Sequence, residues 1–288
     1  MNKGILASIL SAVFFGLTPM FSKLLTGDGL SANNVVQYLF LGNFIFSTIL
    51  CKVQKIKEKP TPKQIRHLCI MGIVGTGMTT FFLTSSYDLI PLGNTTVIHY
   101  LYPALVTIYM VVTRREEGSR EKVIALCLSI VGLVCISGVS PGGKALGYIF
   151  AFLSAITFGI YITANQNAAY SSLSACKRTQ YLSIFTCATF FVVAVIKGDL
   201  ALPPSGKSLL YLLGMSICSS MAHSLLAYGV TRIGAVTAAF TSMLEPITSI
   251  LVGVLIFNET FSLITVLGMG LILSAVLMIG LESARHKG

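Results

Sequence analysis

The sequence predicts an all-α membrane protein: ten transmembrane helices arranged as two inverted five-helix repeats, with both termini cytoplasmic. Three observations predict it. Of 288 residues, 54% are hydrophobic and only 10% charged, where a soluble domain carries about 25%. The apolar residues fall into runs close to the roughly 20 residues that cross a hydrocarbon core. The first half of the sequence recurs in the second.

The runs, in chain order, are 4–25, 33–51, 66–87, 91–112, 121–138, 145–167, 177–197, 207–229, 234–256 and 262–281. The gaps between them are short. The longest runs from Lys52 to Ile65, so the chain has no room for a soluble catalytic or nucleotide-binding module. The first run is longer than a signal-peptide core and lacks a clear small-x-small cleavage site, so it is expected to be retained.

Orientation follows from the basic residues. With a cytoplasmic N-terminus, the inside holds Lys3, Lys52, Lys55, Lys57, Lys59, Lys63, Arg66, Arg114, Arg115, Arg120, Lys122, Lys177, Arg178, Arg232, Arg285 and Lys287. The outside holds Lys23, Lys144, Lys197 and Lys207, a ratio of 16 to 4. This asymmetry explains the net charge of +10 without a nucleic-acid partner, because no dense basic patch exists. The seven cysteines are scattered, odd in number and without a C-x-x-C pair. They read as small apolar fillers, with no disulfide framework and no metal site.

The repeat emerges at a shift of 143 positions. Gly4, Leu10, Ser11, Ala12, Phe15 and Gly16 meet Gly147, Leu153, Ser154, Ala155, Phe158 and Gly159, six identities in the 13 positions from 4 to 16. Ser8, Ala12 and Gly16 form a small-residue stripe, as do Ala151, Ala155 and Gly159, and such stripes let helices approach closely in lipid. Pro103 and Glu116 recur as Pro246 and Glu259. Tyr87 and Gly93 match Tyr228 and Gly234 at an offset of 141. The repeats are placed at residues 1–140 and 144–288. Five spans per copy is odd, so the second copy enters the membrane inverted, a transporter arrangement that puts substrate near the midplane.

The stretches "FFGLTPMFSK" (14–23), "LYPALVTIYMVVTRRE" (101–116) and "LEPITSILVGVLIFNE" (244–259), in that order and duplicated, resemble the EamA family of the drug/metabolite transporter superfamily. The resemblance covers nearly the whole chain. It implies ten helices around a central cavity, built mainly by spans 3, 4, 8 and 9, and movement of a small metabolite, often an amino acid and often outward. The sixth span departs from the first: Ile162 and Gln166 stand where the first has Pro19 and Lys23.

Several intramembrane residues are candidates for substrate contact. Glu245 lies mid-span, where a carboxylate costs about 2.5–3.5 kcal/mol on insertion scales, and Pro246 beside it removes a backbone hydrogen bond. Tyr102, the repeat counterpart of Glu245, precedes Pro103. His99 lies one turn earlier and has Ser242 as its counterpart. Glu245 and His99 are the candidate carriers of a coupling proton; a protonated Glu bonded to a neighbouring helix is the other reading for Glu245, and a structural hydrogen bond between helices is the favoured reading for His99, and for His223 with Ser219 and Ser220 before it. Asn43 is expected in the cavity, Tyr38 either there or as an interface anchor, and Asn165, Gln166 and Asn167 at the interface. Pro19, Pro103 and Pro246 are the candidate kinks. Gly268, Gly270 and Ser274 offer a face for a second copy.

No cofactor or metal is expected. "GVSPGGKA" (138–145) lacks the final Ser or Thr and the preceding strand of a phosphate loop. The sequons at Asn94 and Asn258 hug the membrane, and no H-E-x-x-H motif occurs. The leading expectation is a secondary transporter exporting amino acids or related amines by alternating access. Multidrug or quaternary-amine efflux is the alternative. A membrane enzyme or lipid flippase would require a reactive pair or a lipid-facing opening, and a membrane sensor a signalling domain.

Overall fold

A computed structural model of the chain describes residues 3–138, 142–257 and 262–285. Helices account for nearly all of it, and no strand occurs among the described residues. In chain order they are α1 (Lys3–Gly27), α2 (Ala32–Val53), α3 (Pro62–Tyr87), α4 (Leu92–Val112), α5 (Arg120–Ser137), α6 (Ala145–Asn167), α7 (Ala175–Lys197), α8 (Gly206–Ile233), α9 (Ala235–Ile256) and α10 (Leu263–Arg285). Among the described residues, nine are long and apolar enough to cross a membrane. The exception is α5, whose first turn holds Arg120, Glu121 and Lys122 and leaves only 123–137 apolar.

Local chemistry sets the helix starts. Ser31, Ser119 and Ser205 each accept a backbone N–H of the first turn of α2, α5 and α8. Thr61 and Gln64 form a reciprocal capping box at α3, followed by Pro62 at its first position, where a missing N–H costs nothing. Between α8 and α9 the chain turns at a single residue, Gly234, whose φ of +89° suits glycine.

Two helices are irregular inside. Residues Met71–Gly77 of α3 form a π-helical turn. There the Gly72 carbonyl accepts the Thr76 hydroxyl at 3.1 Å and the Thr186 hydroxyl of α7 at 2.8 Å, which diverts it from the ordinary helical ladder. Helix α9 contains a 3-10 turn at Ser242–Leu244 just ahead of Glu245.

The side chains are inverted relative to a soluble protein. Large aliphatics such as Ile196, Leu255 and Leu263 are more than 70% exposed, while Ser8, Asn43, Ser86, Asn165 and Thr186 are completely buried. A protein that turns Leu and Ile outward and hides its hydroxyls and amides has hydrocarbon as its solvent.

Packing follows the duplicated pattern. Helix α1 packs on α8, and α6 packs on α3; α1 meets α9, and α6 meets α4; α2 meets α8, and α7 meets α3. The pairs α2·α7 and α5·α10 map onto themselves. The small stripes sit at the closest approaches. A Cβ on Gly16 would come within 2.5 Å of Thr248 Cβ and 2.8 Å of the Glu245 carbonyl. Its counterpart Gly159 approaches the equivalent carbonyl, that of Tyr102, at 3.9 Å.

Four sequence expectations are corrected here. Arg178 does not lie in an inside loop: it is 2% exposed, and its guanidinium donates to the carbonyls of Asn165 and Ala227, both at 2.9 Å. Asn165 is fully buried rather than interfacial, because it supplies that contact. Gly268 is taken by the chain's own α5, whose Gly132 carbonyl would lie 2.5 Å from a Cβ there; Gly270 remains open and Ser274 donates to its own helix at Gly270. Finally, Cys51 and Cys176 are not isolated fillers, since their sulfurs lie 2.7 Å apart between α2 and α7. Glu259 and the Asn258 sequon lie outside the described residues.

Candidate functional site

The site begins with two broken helices. Helix α4 stops at His99, turns through Tyr100 and Leu101, and resumes at Tyr102 with Pro103 in its first turn. Helix α9 tightens at Ser242–Leu244 and resumes at Glu245 with Pro246 next. The breaks fall at repeat-equivalent positions, and the cause is shared: a proline offers no N–H to the preceding turn.

Glu245 is half-buried. The Tyr100 hydroxyl, on the turn of α4, is the side-chain donor closest to its carboxylate. The turn at Tyr100–Leu101 breaks the helical register that the alignment assumes. The Tyr102 hydroxyl instead donates to the Ala239 carbonyl of α9 at 3.5 Å, and Ser242, the counterpart of His99, donates to the Ala238 carbonyl at 3.0 Å. Tyr87, at the end of α3 and 42% exposed, faces the same carboxylate.

His99 is held from α6. Ser154 Oγ donates to the Ala151 carbonyl at 2.6 Å, so it accepts from His99 Nδ1 at 2.9 Å. That assignment puts the ring proton on Nδ1 and leaves Nε2 as an acceptor. The rings of Tyr100, Tyr102 and Phe158 surround His99 with centroids at 5.5, 5.6 and 5.4 Å. Phe158 also packs edge-on against Tyr102 at 4.7 Å. The result is one carboxylate beside an aromatic wall drawn from α4 and α6.

The wall continues through Tyr161 to His223 on α8, which is flanked by Phe15 and Phe40. His223 Nδ1 donates to the Ser219 carbonyl at 2.8 Å. Asn43 donates to Ser219 Oγ at 2.9 Å and is completely buried between α2 and α8. The Tyr38 hydroxyl donates to the Ala201 carbonyl at 2.7 Å, beside an apolar groove between α2 and α8. Pro19 lies inside a continuous α1.

A second feature lies at the other end of α9. A cavity of about 590 Å³ opens among Glu116, Lys122, Gln166, Arg232, Gly234 and Glu282. It is about 16 Å from Glu245 along the helix, at 1.5 Å per residue. Glu116 pairs with Lys122 at 3.2 Å, and Gln166 Oε1 accepts the Ala235 N–H at 2.7 Å, closing the start of α9. Sequence reading singled out Glu116 and Gln166 but missed this cavity and Tyr100. The Tyr100 signal was present: a tyrosine three residues before a proline that follows a matched polar position.

Comparison with known proteins settles the lineage. A model of the EamA-like transporter family matches the chain twice, over residues 2–138 and 145–281. The chain belongs to the EamA-like transporter family. An uncharacterized transporter of Archaeoglobus fulgidus is 25% identical over 247 residues, covering 83% of this chain and 84% of that one. The uncharacterized inner membrane transporter YicL of Salmonella typhimurium is 24% identical, covering 99% and 97%. A crystal structure with 17% sequence identity superposes with a TM-score of 0.83 over 99% of both chains and shows the fold alone. As an EamA-like family member with nine apolar helices among its described residues, the chain is a multi-pass membrane protein, and its relatives are named as transporters.

Proposed function

We propose that this protein is a secondary transporter that exports amino acids or related amine-bearing metabolites by alternating access. What supports the reading is Glu245, an intramembrane carboxylate close to Tyr100 and Tyr102, whose rings pack in turn against His99. A carboxylate at that depth is costly unless it serves a ligand or an ion. An ammonium group matches it twice, by charge at the carboxylate and by cation–π attraction at the aromatic faces. Tyr100 orients the carboxylate, the Ala239 carbonyl holds the Tyr102 hydroxyl, and His99 Nε2 offers an acceptor.

In this reading ten helices span the membrane, α5 crossing through its apolar residues 123–137, with both termini cytoplasmic and the halves inverted. The packing pairs that interchange under a five-helix shift support the two-fold relation. The halves rock about the site, which α4 and α9 contact through their broken segments. Among the candidates read from the sequence, Glu245, His99, Tyr102 and Ser242 form the site, His223 extends it, and Asn43 and Tyr38 act between helices. The aromatic wall equally suits a quaternary amine, which makes amine efflux the second reading.

The test is a thermal-shift screen of purified protein against amino acids, polyamines, quaternary amines, nucleosides and carboxylic acids. A ligand at 100 times its Kd stabilises by about 2.7 kcal/mol. Amine-bearing compounds are expected to raise Tm in the wild type and not in Glu245→Gln. Stabilisation by acids or nucleosides alone would refute the reading.

A further inference from the structure

At one end of the α2·α7 contact, Cys51 and Cys176 meet sulfur to sulfur at 2.7 Å. A disulfide bond is about 2.05 Å, so a small approach of the two sulfurs would complete one. Both thiols are buried, at 3% and 4% exposure. Cys51 lies two residues before the end of α2 at Val53 and Cys176 is second in α7, so the pair sits near a helix end rather than at mid-membrane. Its surroundings hold it in register. The Cys176 thiol donates to the Ser47 carbonyl at 3.1 Å, Ser47 Oγ meets Ser220 Oγ at 2.8 Å, and Gln180 donates to Thr48 at 2.8 Å. These contacts join α2 to α7 and α8, so the thiols cannot easily part.

We propose that Cys51 and Cys176 form an oxidisable dithiol, converted by hydrogen peroxide to a disulfide that fastens the first half of the chain to the second. Either sulfur, as thiolate, attacks a peroxide oxygen. The O–O bond breaks, hydroxide leaves, and the sulfur becomes a sulfenic acid. The neighbouring sulfur then attacks it, the S–O bond breaks, and the S–S bond forms. With the protons counted, two thiols and one peroxide give one disulfide and two waters. The pair spans helices of different repeats, so the bond ties the halves at that end.

The experiment treats membranes containing the full chain with hydrogen peroxide. After denaturation, free thiols are counted by maleimide–polyethylene glycol mobility shift, and cross-linked peptides are identified by mass spectrometry. The chain has seven cysteines. Seven reactive thiols are expected after dithiothreitol and five after peroxide, with a Cys51–Cys176 peptide that dithiothreitol removes. Cys51→Ser and Cys176→Ser are each expected to show six thiols before and after. Seven thiols after peroxide, a cross-link between other cysteines, or a loss of thiols in the serine variants equal to that of wild type would overturn the proposal.

Discussion

At the residue scale, two buried polar groups carry the account. The first is Glu245 with its Tyr100 partner. Tyr100→Phe removes the hydroxyl beside the carboxylate and keeps the ring, so binding of an amine is expected to weaken about tenfold, the equivalent of about 1.4 kcal/mol. Ligand titration by thermal shift checks this, and an unchanged affinity would mean that the hydroxyl does not orient the carboxylate. The second is Arg178. Its guanidinium donates to two carbonyls, of α6 and α8, and no carboxylate among the described residues is bonded to it. Arg178→Ala strips the Asn165 carbonyl of its guanidinium partner in a dry site, at about 1–3 kcal/mol, while the Ala227 carbonyl keeps the Thr231 hydroxyl; the change is expected to lower thermal stability by several degrees without altering amine selectivity. Glu245 was legible because a lone mid-span carboxylate is conspicuous. Arg178 was not, because Lys177 beside it and the preceding polar turn make it look like a loop cation. Only the fold shows that it turns inward.

At the scale of elements, the helix ends read closely from the sequence, since apolar runs and Ser, Thr, Pro and Gly caps are local signals. The interiors did not. The π-helical turn of α3 depends on a hydroxyl arriving from α7, a contact across 114 residues that no local pattern announces. The glycines illustrate the same limit. Gly16 and Gly159 are identical by repeat, yet Gly16 is clamped against Thr248 and the Glu245 carbonyl while Gly159 has ordinary clearance. Gly16→Ala is expected to cost about 1–3 kcal/mol by overpacking and to disturb the site; Gly159→Ala is expected to be nearly neutral. Equal effects in thermal unfolding would contradict the geometry.

The loops between helices make a reciprocal brace. Asp28, after α1, accepts the hydroxyls of Ser205 and Ser208 at the start of α8. Asp199, after α7, accepts the Ser31 hydroxyl at the start of α2 at 2.8 Å. The hydroxyls of Ser208 and Ser205 hold the Asp28 carboxyl below its ordinary value of 3.8. A depressed folded-state value means stabilisation that is present above that ordinary value, declines as pH falls below it and is gone beneath the folded-state value. Stability of the wild type is therefore expected to fall more steeply than that of Asp28→Asn as pH drops below about 4. Parallel profiles would show that the brace carries no charge-dependent stability.

At the scale of the whole molecule, duplication was the most legible feature and its consequences the least. The order of apolar runs and the matched Pro103 and Pro246 pointed to two copies of one unit. The packing pairs, the matched helix breaks and the two family matches over 2–138 and 145–281 are what such a duplication produces. The asymmetry between copies decides the chemistry. One broken helix resumes at Tyr102 and the other at Glu245, so the site has one charge and an aromatic face. Which side chains converge there was not legible, because Tyr100 reaches Glu245 only through the turn in α4. The central claim, an amine carrier that works through Glu245, is tested most directly in proteoliposomes. The measurement is uptake of an amine identified by thermal shift, into vesicles preloaded with the same compound, for wild type and Glu245→Gln across pH. The account predicts rapid exchange by the wild type and at least tenfold slower exchange by the variant. Equal rates with the same pH profile would contradict it.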